Sequence, residues 1–238
     1  MTATSLDRAL EIVESLLSQL GPAPTSKKGG KKDKTAKKKS AEVPPPNAPT
    51  PAHGLDAEAL ALFQKSKIGV GAIRTVEPHP TGSEKLWVLT VDVGEESPKH
   101  VCAGLRPYYP DPAVLINRPV AVVLNLKAAK LGGVLSEAML LAASNTGGDG
   151  DGDGDQGSRM VRLLSPPAGA VVGQLITLAG VDVPTAFNAT CKVFNKVAAE
   201  FVVQKGEATY RGVPMVVGGA GGEAVGVELG ILDGASIS

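Results

Sequence analysis

The stretch Asn125-Leu-Lys127-Ala-Ala-Lys130-Leu-Gly132-Gly133-Val-Leu-Ser136-Glu-Ala-Met139 collects residue types that can grip a nucleic acid. Asn125 offers a donor and an acceptor together, which suits a base edge or a 2′-hydroxyl. Lys127 and Lys130 bring two ammonium groups near one another for phosphates. Gly132 and Gly133 let the backbone turn tightly and a ligand approach closely, and Ser136 adds a short hydroxyl. On composition alone, an ordinary solvated loop explains these residues equally well. A second cationic feature is the run Lys27, Lys28, Lys31, Lys32, Lys34, Lys37, Lys38 and Lys39. Eight lysines against the single Asp33 give a local charge of +7. Such an arm finds phosphates by releasing condensed counterions, about 0.9 units of log–log salt slope per neutralised duplex phosphate. It carries almost no sequence information.

Other chemistries find little support. The chain has no GxxxxGK[ST], GxSxG or HExxH, and Gly219-Ala-Gly221-Gly-Glu-Ala224 matches GxGxxA too near the end of the sequence for a βαβ unit. The three histidines are far apart, and His79, between two prolines, reads as a turn residue. No catalytic residue and no cofactor is expected, and the chain is read as a non-enzyme. Cys102 and Cys191 lack any CxxC or Cys/His grouping, which argues against a disulfide scaffold or structural zinc. A reducing compartment, the cytoplasm, is expected. The repeat Asp149-Gly-Asp151-Gly-Asp153-Gly-Asp155 copies the start of an EF-hand loop, but its twelfth position is Met160 rather than a bidentate Glu. It reads as a low-complexity loop within 147–157, and no metal site is expected. Apolar runs such as Val120–Leu124 are far below membrane-spanning length, and no secretory signal is visible.

The elements that would position these residues fall into four segments. In 1–21, Leu6, Leu10, Val13, Leu17 and Leu20 recur at spacings of four and three, an a/d seam predicting an amphipathic helix that docks on a partner protein or on itself. Residues 22–54 are Lys- and Pro-rich without apolar periodicity and are expected to be a disordered linker. A short helix over Asp56–Lys65 then precedes strand-like runs at Ile68–Val76, Leu86–Val93, Lys99–Ala103, Arg118–Leu124 and Leu135–Ala143. Further runs at Met160–Leu164 and Gln174–Leu178 complete a segment 55–178. Five short strands with Gly-rich punctuation predict a mainly β fold, a five-stranded barrel of the OB type, in which the Asn125–Met139 segment joins the fourth and fifth strands. Residues 179–238 predict a small α+β extension, with a helix over Ala186–Phe201 and a strand over Glu207–Val217.

Asn125-Leu-Lys127, Lys130, Gly133, Ser136 and Met139 resemble the signature of a tRNA-binding domain. That domain is shared by the endothelial-monocyte-activating-polypeptide-II type, synthetase cofactors of the yeast type, the C-terminal module of many methionyl-tRNA synthetases and small bacterial tRNA-binding proteins. Lys67-Ile68-Gly69, His79-Pro80, Val91-Asp92-Val93-Gly94, Ala103-Gly104-Leu105 and Pro166-Pro167 follow in the same order. The similarity covers Ser66–Leu178. It continues through Ala208-Thr-Tyr210-Arg211-Gly212-Val213-Pro214, which looks like an extension that mimics a dimer interface within one chain. The resemblance implies an OB barrel that grips the outer corner of tRNA by shape and backbone, with Asn125, Lys127, Lys130, Ser136 and Met139 facing RNA. Met139 fits the barrel core equally well. Arg74, Lys85 and Arg106 are added as cations on or beside the first three strands. Trp87 reads as core, whereas the Tyr108-Tyr109 pair could stack on bases. Ala128 stands where the family has proline, and Thr81–Lys85 departs from its usual pattern after His-Pro.

The implied function is a non-catalytic tRNA-binding cofactor of aminoacyl-tRNA synthetases, methionyl or another, with the heptad helix as docking element. A monomer with an internal pseudo-dimer interface is expected rather than a homodimer. The alternative is a scaffold that assembles a multi-synthetase complex through that helix, its RNA binding vestigial. Ser66–Ser238 holds 14 Lys and Arg against 17 Asp and Glu, a net of −3. The expectation follows that the barrel orients tRNA while the 27–39 arm supplies most of the affinity.

Overall fold

The computed structural model describes residues 55–81, 84–145 and 159–238. The helix expected in 1–21, the linker expected over 22–54 with its lysines and the Asp/Gly repeat of 147–157 lie outside the described residues. Helix α1 (Ala57–Phe63) is followed by β1 (Ile68–Pro78), β2 (Trp87–Asp92), β3 (Lys99–Ala103), one 3-10 turn (Pro112–Val114) and β4 (Pro119–Val123). Then come β5 (Ala129–Leu131), β6 (Val134–Ser136), β7 (Met139–Leu140), β8 (Ala142–Asn145), β9 (Met160–Ser165) and β10 (Leu175–Leu178). The remaining chain gives α2 (Phe194–Ala198), β11 (Phe201–Gln204), β12 (Glu207–Tyr210), β13 (Val213–Val217), β14 (Glu223–Ala224), β15 (Gly226–Val227) and β16 (Ser236–Ile237).

The barrel is built on β1, which pairs antiparallel with β2 along one part of its length and with β4 along another. β2 pairs β3, and β4 pairs β7. Closure comes where β3 meets the chain after β6: Glu137 N–H donates to the His100 carbonyl at 2.8 Å. The closed barrel counts six strands where the sequence suggested five. The run Leu135–Ala143, read as one strand, is divided among β6, β7 and β8. β1 bulges between Ile73 and Thr75, and its curl brings Gly71 into the barrel. A Cβ on Gly71 would lie 2.8 Å from Val91 Cγ1 and 2.9 Å from Val122 Cγ2, so packing there requires glycine.

β4 explains the folding of the two halves onto one another. Strand alternation sends Val120 and Val122 into the barrel with Ile73, Leu89, Val101 and Leu140. Ala121 and Val123 face a second core with Ile68, Val70, Leu141, Phe201, Tyr210 and Met215. The strands of 179–238 extend the sheet directly: β13 pairs β10, β15 pairs β9 and β16 pairs β8. Phe63, Phe194, Phe201 and Tyr210 form an aromatic cluster with ring centroids 5.3–6.3 Å apart. Through it α1 is clamped onto the extension, and the Tyr210 hydroxyl donates to the Ala59 carbonyl at 3.2 Å.

Two expectations for the extension are corrected. The helix predicted over Ala186–Phe201 forms only at Phe194–Ala198. The chain before it is tied to the barrel by Cys191 N–H on the Asn125 carbonyl, and Phe201 already pairs with Tyr210. The single strand predicted over Glu207–Val217 is a hairpin of β12 and β13. Its two turn residues, Arg211 and Gly212, both have positive φ (49° and 80°), the type I′ geometry that matches strand twist.

Candidate nucleic-acid interface

The Asn125–Met139 segment leaves β4 and forms the small hairpin β5–β6, turned by Gly132 and Gly133 at φ 54° and 91°. Its polar residues divide into two kinds. Lys127 and Lys130 are exposed. Asn125 and Ser136 are buried, at 5% and 8% exposure. The Asn125 amide donates to the carbonyls of Lys65 (2.9 Å) and Asn188 (3.1 Å), while its Oδ1 accepts from Lys67 N–H at 2.8 Å. Ser136 Oγ accepts from Cys102 N–H at 3.1 Å and donates to the Ala138 carbonyl at 3.2 Å. Both residues hold the chain in place through these bonds. Met139 is half-buried and packs against the second core, the core alternative left open by the sequence.

The tip of the hairpin is held by the loop after β1. His79 Nε2 lies 2.8 Å from the Leu131 carbonyl, and Thr81 Oγ1 donates to the Gly132 carbonyl at 2.7 Å. A carbonyl can only accept, so Nε2 carries the hydrogen, and Nδ1 is left to accept from Thr81 N–H at 3.3 Å. Sequence reasoning treated His79 as a turn residue and missed this clamp. The His-Pro landmark was its signal, since a buried imidazole between prolines needs partners.

The three added cations are separately engaged. Arg74, at the β1 bulge, donates to Asp92 (2.8 Å) and to Asn117 (3.2 Å). That hydrogen bond, and then the Gly94 N–H, hold the Asp92 carboxyl below its usual range. Arg106 stacks 4.9 Å above the Trp87 ring. With Glu84, Lys85, Pro107 and Pro110 it lines an open depression of about 580 Å³. Trp87 is core, as read, its Nε1 donating to the Tyr109 carbonyl at 2.9 Å. Tyr109 is buried too, leaving only the half-buried Tyr108 near the surface. The Tyr109 hydroxyl accepts from Leu163 N–H at 3.1 Å and donates to Glu228, which also pairs with Arg118 and Arg162. Burial, and then the Glu228 carboxylate, raise the Tyr109 phenol above its usual range.

Elsewhere on the surface, Glu95 bridges Lys99 (2.9 Å) and Lys67 (3.0 Å). The hydrogen bonds from Lys99 and then Lys67 lower its carboxyl, and Glu95 in turn raises the Lys99 ammonium. Among the described residues no group of His, Cys, Asp and Glu is arranged to hold a metal ion. Among them too, no helix is long and apolar enough to cross a membrane.

Residues 68–175, the barrel with its Lys127–Lys130 hairpin, match the family model described as "Putative tRNA binding domain". The resemblance to a tRNA-binding domain is thus shown for this segment, a little under half of the chain. Its relatives include a Cricetulus griseus "Aminoacyl tRNA synthase complex-interacting multifunctional protein 1", 32% identical over 201 residues, which covers 82% of this chain and 52% of that protein. An Oryza sativa "Probable methionine--tRNA ligase" is 36% identical over 163 residues, 67% of this chain and 19% of the ligase. The chain thus spans about half, or less, of the length of these curated relatives. Among solved structures, the C-terminal domain of Plasmodium vivax p43 superposes with a TM-score of 0.62 at 27% identity, covering 74% of this chain and 98% of that one.

Proposed function

We propose that this protein binds tRNA and works beside aminoacyl-tRNA synthetases as a non-catalytic cofactor. The observation that carries the reading is the family match over 68–175, which includes the exposed Lys127 and Lys130 on a hairpin pinned by His79 and Thr81. Relatives named as synthetases and as a synthetase-complex-interacting protein support the association with synthetases. On this reading the barrel orients the tRNA by shape and backbone, with little preference among tRNAs. The eight lysines of 27–39 supply most of the charge, because the barrel and extension are themselves near neutral.

The test is fluorescence anisotropy of labelled tRNA against the full-length protein over a salt series, with duplex DNA as competitor. Preference for tRNA is expected. Replacing all eight arm lysines by alanine should lower affinity and salt slope far more than Lys127→Ala, while the preference for tRNA survives. Absence of any tRNA preference in the intact protein would overturn the reading and favour a scaffold acting through residues 5–20.

A further inference from the structure

Three segments far apart in sequence converge on Asn125. Its side chain binds the backbone on both sides of Ser66, through the Lys65 carbonyl and the Lys67 N–H, and also the Asn188 carbonyl. Its own carbonyl accepts from Cys191 N–H at 2.6 Å. Ser66 Oγ and Cys191 Sγ, 3.5 Å apart, close the junction between the segment entering the barrel and the C-terminal extension. Each segment brings one exposed lysine to this place. Lys65 supplies the bonded carbonyl itself, Lys127 follows Asn125 by two residues, and Lys192 follows Cys191 directly.

None of these lysines has a carboxylate at ion-pair distance among the described residues. The lysine ion pairs found there use Lys67 and Lys99, both on Glu95. Three exposed lysines therefore flank a buried hub without an ion-pair partner among the described residues, an arrangement that favours a multiply charged anion. Ammonium groups on long stems act as point charges and suit a phosphodiester backbone without reading bases. The hub also joins the barrel to the extension, so an anion bound here contacts both.

We propose that the RNA-binding surface of this protein continues from the hairpin across this junction, with Lys65 and Lys192 contacting RNA phosphates alongside Lys127. Asn125 is the positioning residue that holds the three lysine-bearing segments together. This rests on the tRNA-binding reading above, and it gives the extension a direct part in binding.

The experiment uses the full-length protein and labelled tRNA in a salt series, with duplex DNA as competitor. The variants are Lys65→Ala, Lys192→Ala, Lys192→Arg and the Lys65→Ala/Lys192→Ala pair, each checked for unchanged thermal unfolding. Lys205→Asn, an exposed lysine at the β11–β12 turn with φ of 54°, removes the same charge elsewhere on the extension. Each alanine change should weaken binding about three- to tenfold and lower the salt slope by about 0.7–0.9. The pair should lower both further, Lys192→Arg should retain binding, and Lys205→Asn should match the parent. Unchanged affinity and slope in the Lys65 and Lys192 variants, with Lys127→Ala still impaired, would overturn the inference and leave the proposed function standing. Equal loss from Lys205→Asn would reduce the effect to general charge and also overturn it. An intact protein that does not prefer tRNA would sink both.

Discussion

Asn125 holds three backbone segments with one carboxamide, so its removal acts on stability before it acts on any ligand. Asn125→Ala leaves the Lys67 N–H without its partner and should cost about 1–3 kcal/mol in chemical denaturation. Asn125→Asp should cost more, because a carboxylate oxygen would then face the Lys65 and Asn188 carbonyls where an amide donated. The sequence marked Asn125 as special but not these bonds, since its partners lie about sixty positions away and burial at that range leaves no local pattern. Lys127 and Lys130, whose exposure follows from charge alone, were legible. Gly71 belongs to the same scale: Gly71→Ala should lower stability by about 1–3 kcal/mol, as its Cβ would press on Val91 and Val122 inside the barrel. The Glu95 triad predicts a small pH effect. The Glu95 carboxyl is lowered in the fold, so its contribution is complete above the unfolded value and disappears as pH falls through the folded one. Lys99, raised by the same contact, stays charged throughout that window. Because the pair is partly exposed, the contribution is about 0.5 kcal/mol or less. Glu95→Gln should flatten the stability–pH curve slightly between roughly pH 5 and 3, and an unchanged slope would remove the triad from the account.

At the scale of elements, the β5–β6 hairpin presents Lys127 and Lys130 but is a separate two-stranded sheet, and two strands alone are marginal in water. Its order must come from outside: the Cys102 N–H bond to Ser136 anchors the base, and the His79 and Thr81 contacts to the Leu131 and Gly132 carbonyls hold the tip. His79→Ala should therefore leave the barrel cooperatively folded while amide exchange across Ala129–Ser136 speeds up and tRNA affinity falls. Exchange that remains slow in the variant would show that the hairpin does not rely on the contacts at its tip. The same scale explains which strands could be read from sequence. Lys99–Ala103 was recovered residue for residue, and β1, β2 and β4 to within two residues at each end, because Gly and Pro clusters bound them. The β12–β13 hairpin was misread as one strand because Arg211-Gly212 interrupts the apolar run by only two residues. The helix over 186–201 was overdrawn because Val193, Phe194 and Val197 suit a helical stripe, whereas Cys191 and Phe201 are claimed by partners elsewhere.

For the whole molecule, the question is whether 55–178 is a barrel that stands alone with 179–238 added to it. β4 argues otherwise. A strand with Val120 and Val122 buried on one face and Ala121 and Val123 on the other needs cover on both sides, and its unbroken apolar run was the sequence sign of that. The extension provides the cover, together with edge partners for β8, β9 and β10. Removing it would expose Ile68, Val70, Ala121, Val123, Leu141, Leu164, Ile176 and Leu178 at once, along with three unpaired strand edges. Exposed apolar faces and open edges seek other chains. A chain ending at Leu178 should therefore self-associate or precipitate where one running to Ser238 does not, a difference that light scattering after size exclusion resolves directly. Phe201→Ala in the full chain should act in the same direction but less completely. It removes the ring at the centre of the Phe63, Phe194 and Tyr210 cluster and should cost about 3–5 kcal/mol, loosening α1 from the extension. If the chain ending at Leu178 stays monomeric and unfolds cooperatively at the parent's midpoint, the second core contributes nothing to the barrel. In that case the junction at Asn125 is a contact between independent bodies, and any RNA surface crossing it would have to be assembled by the ligand.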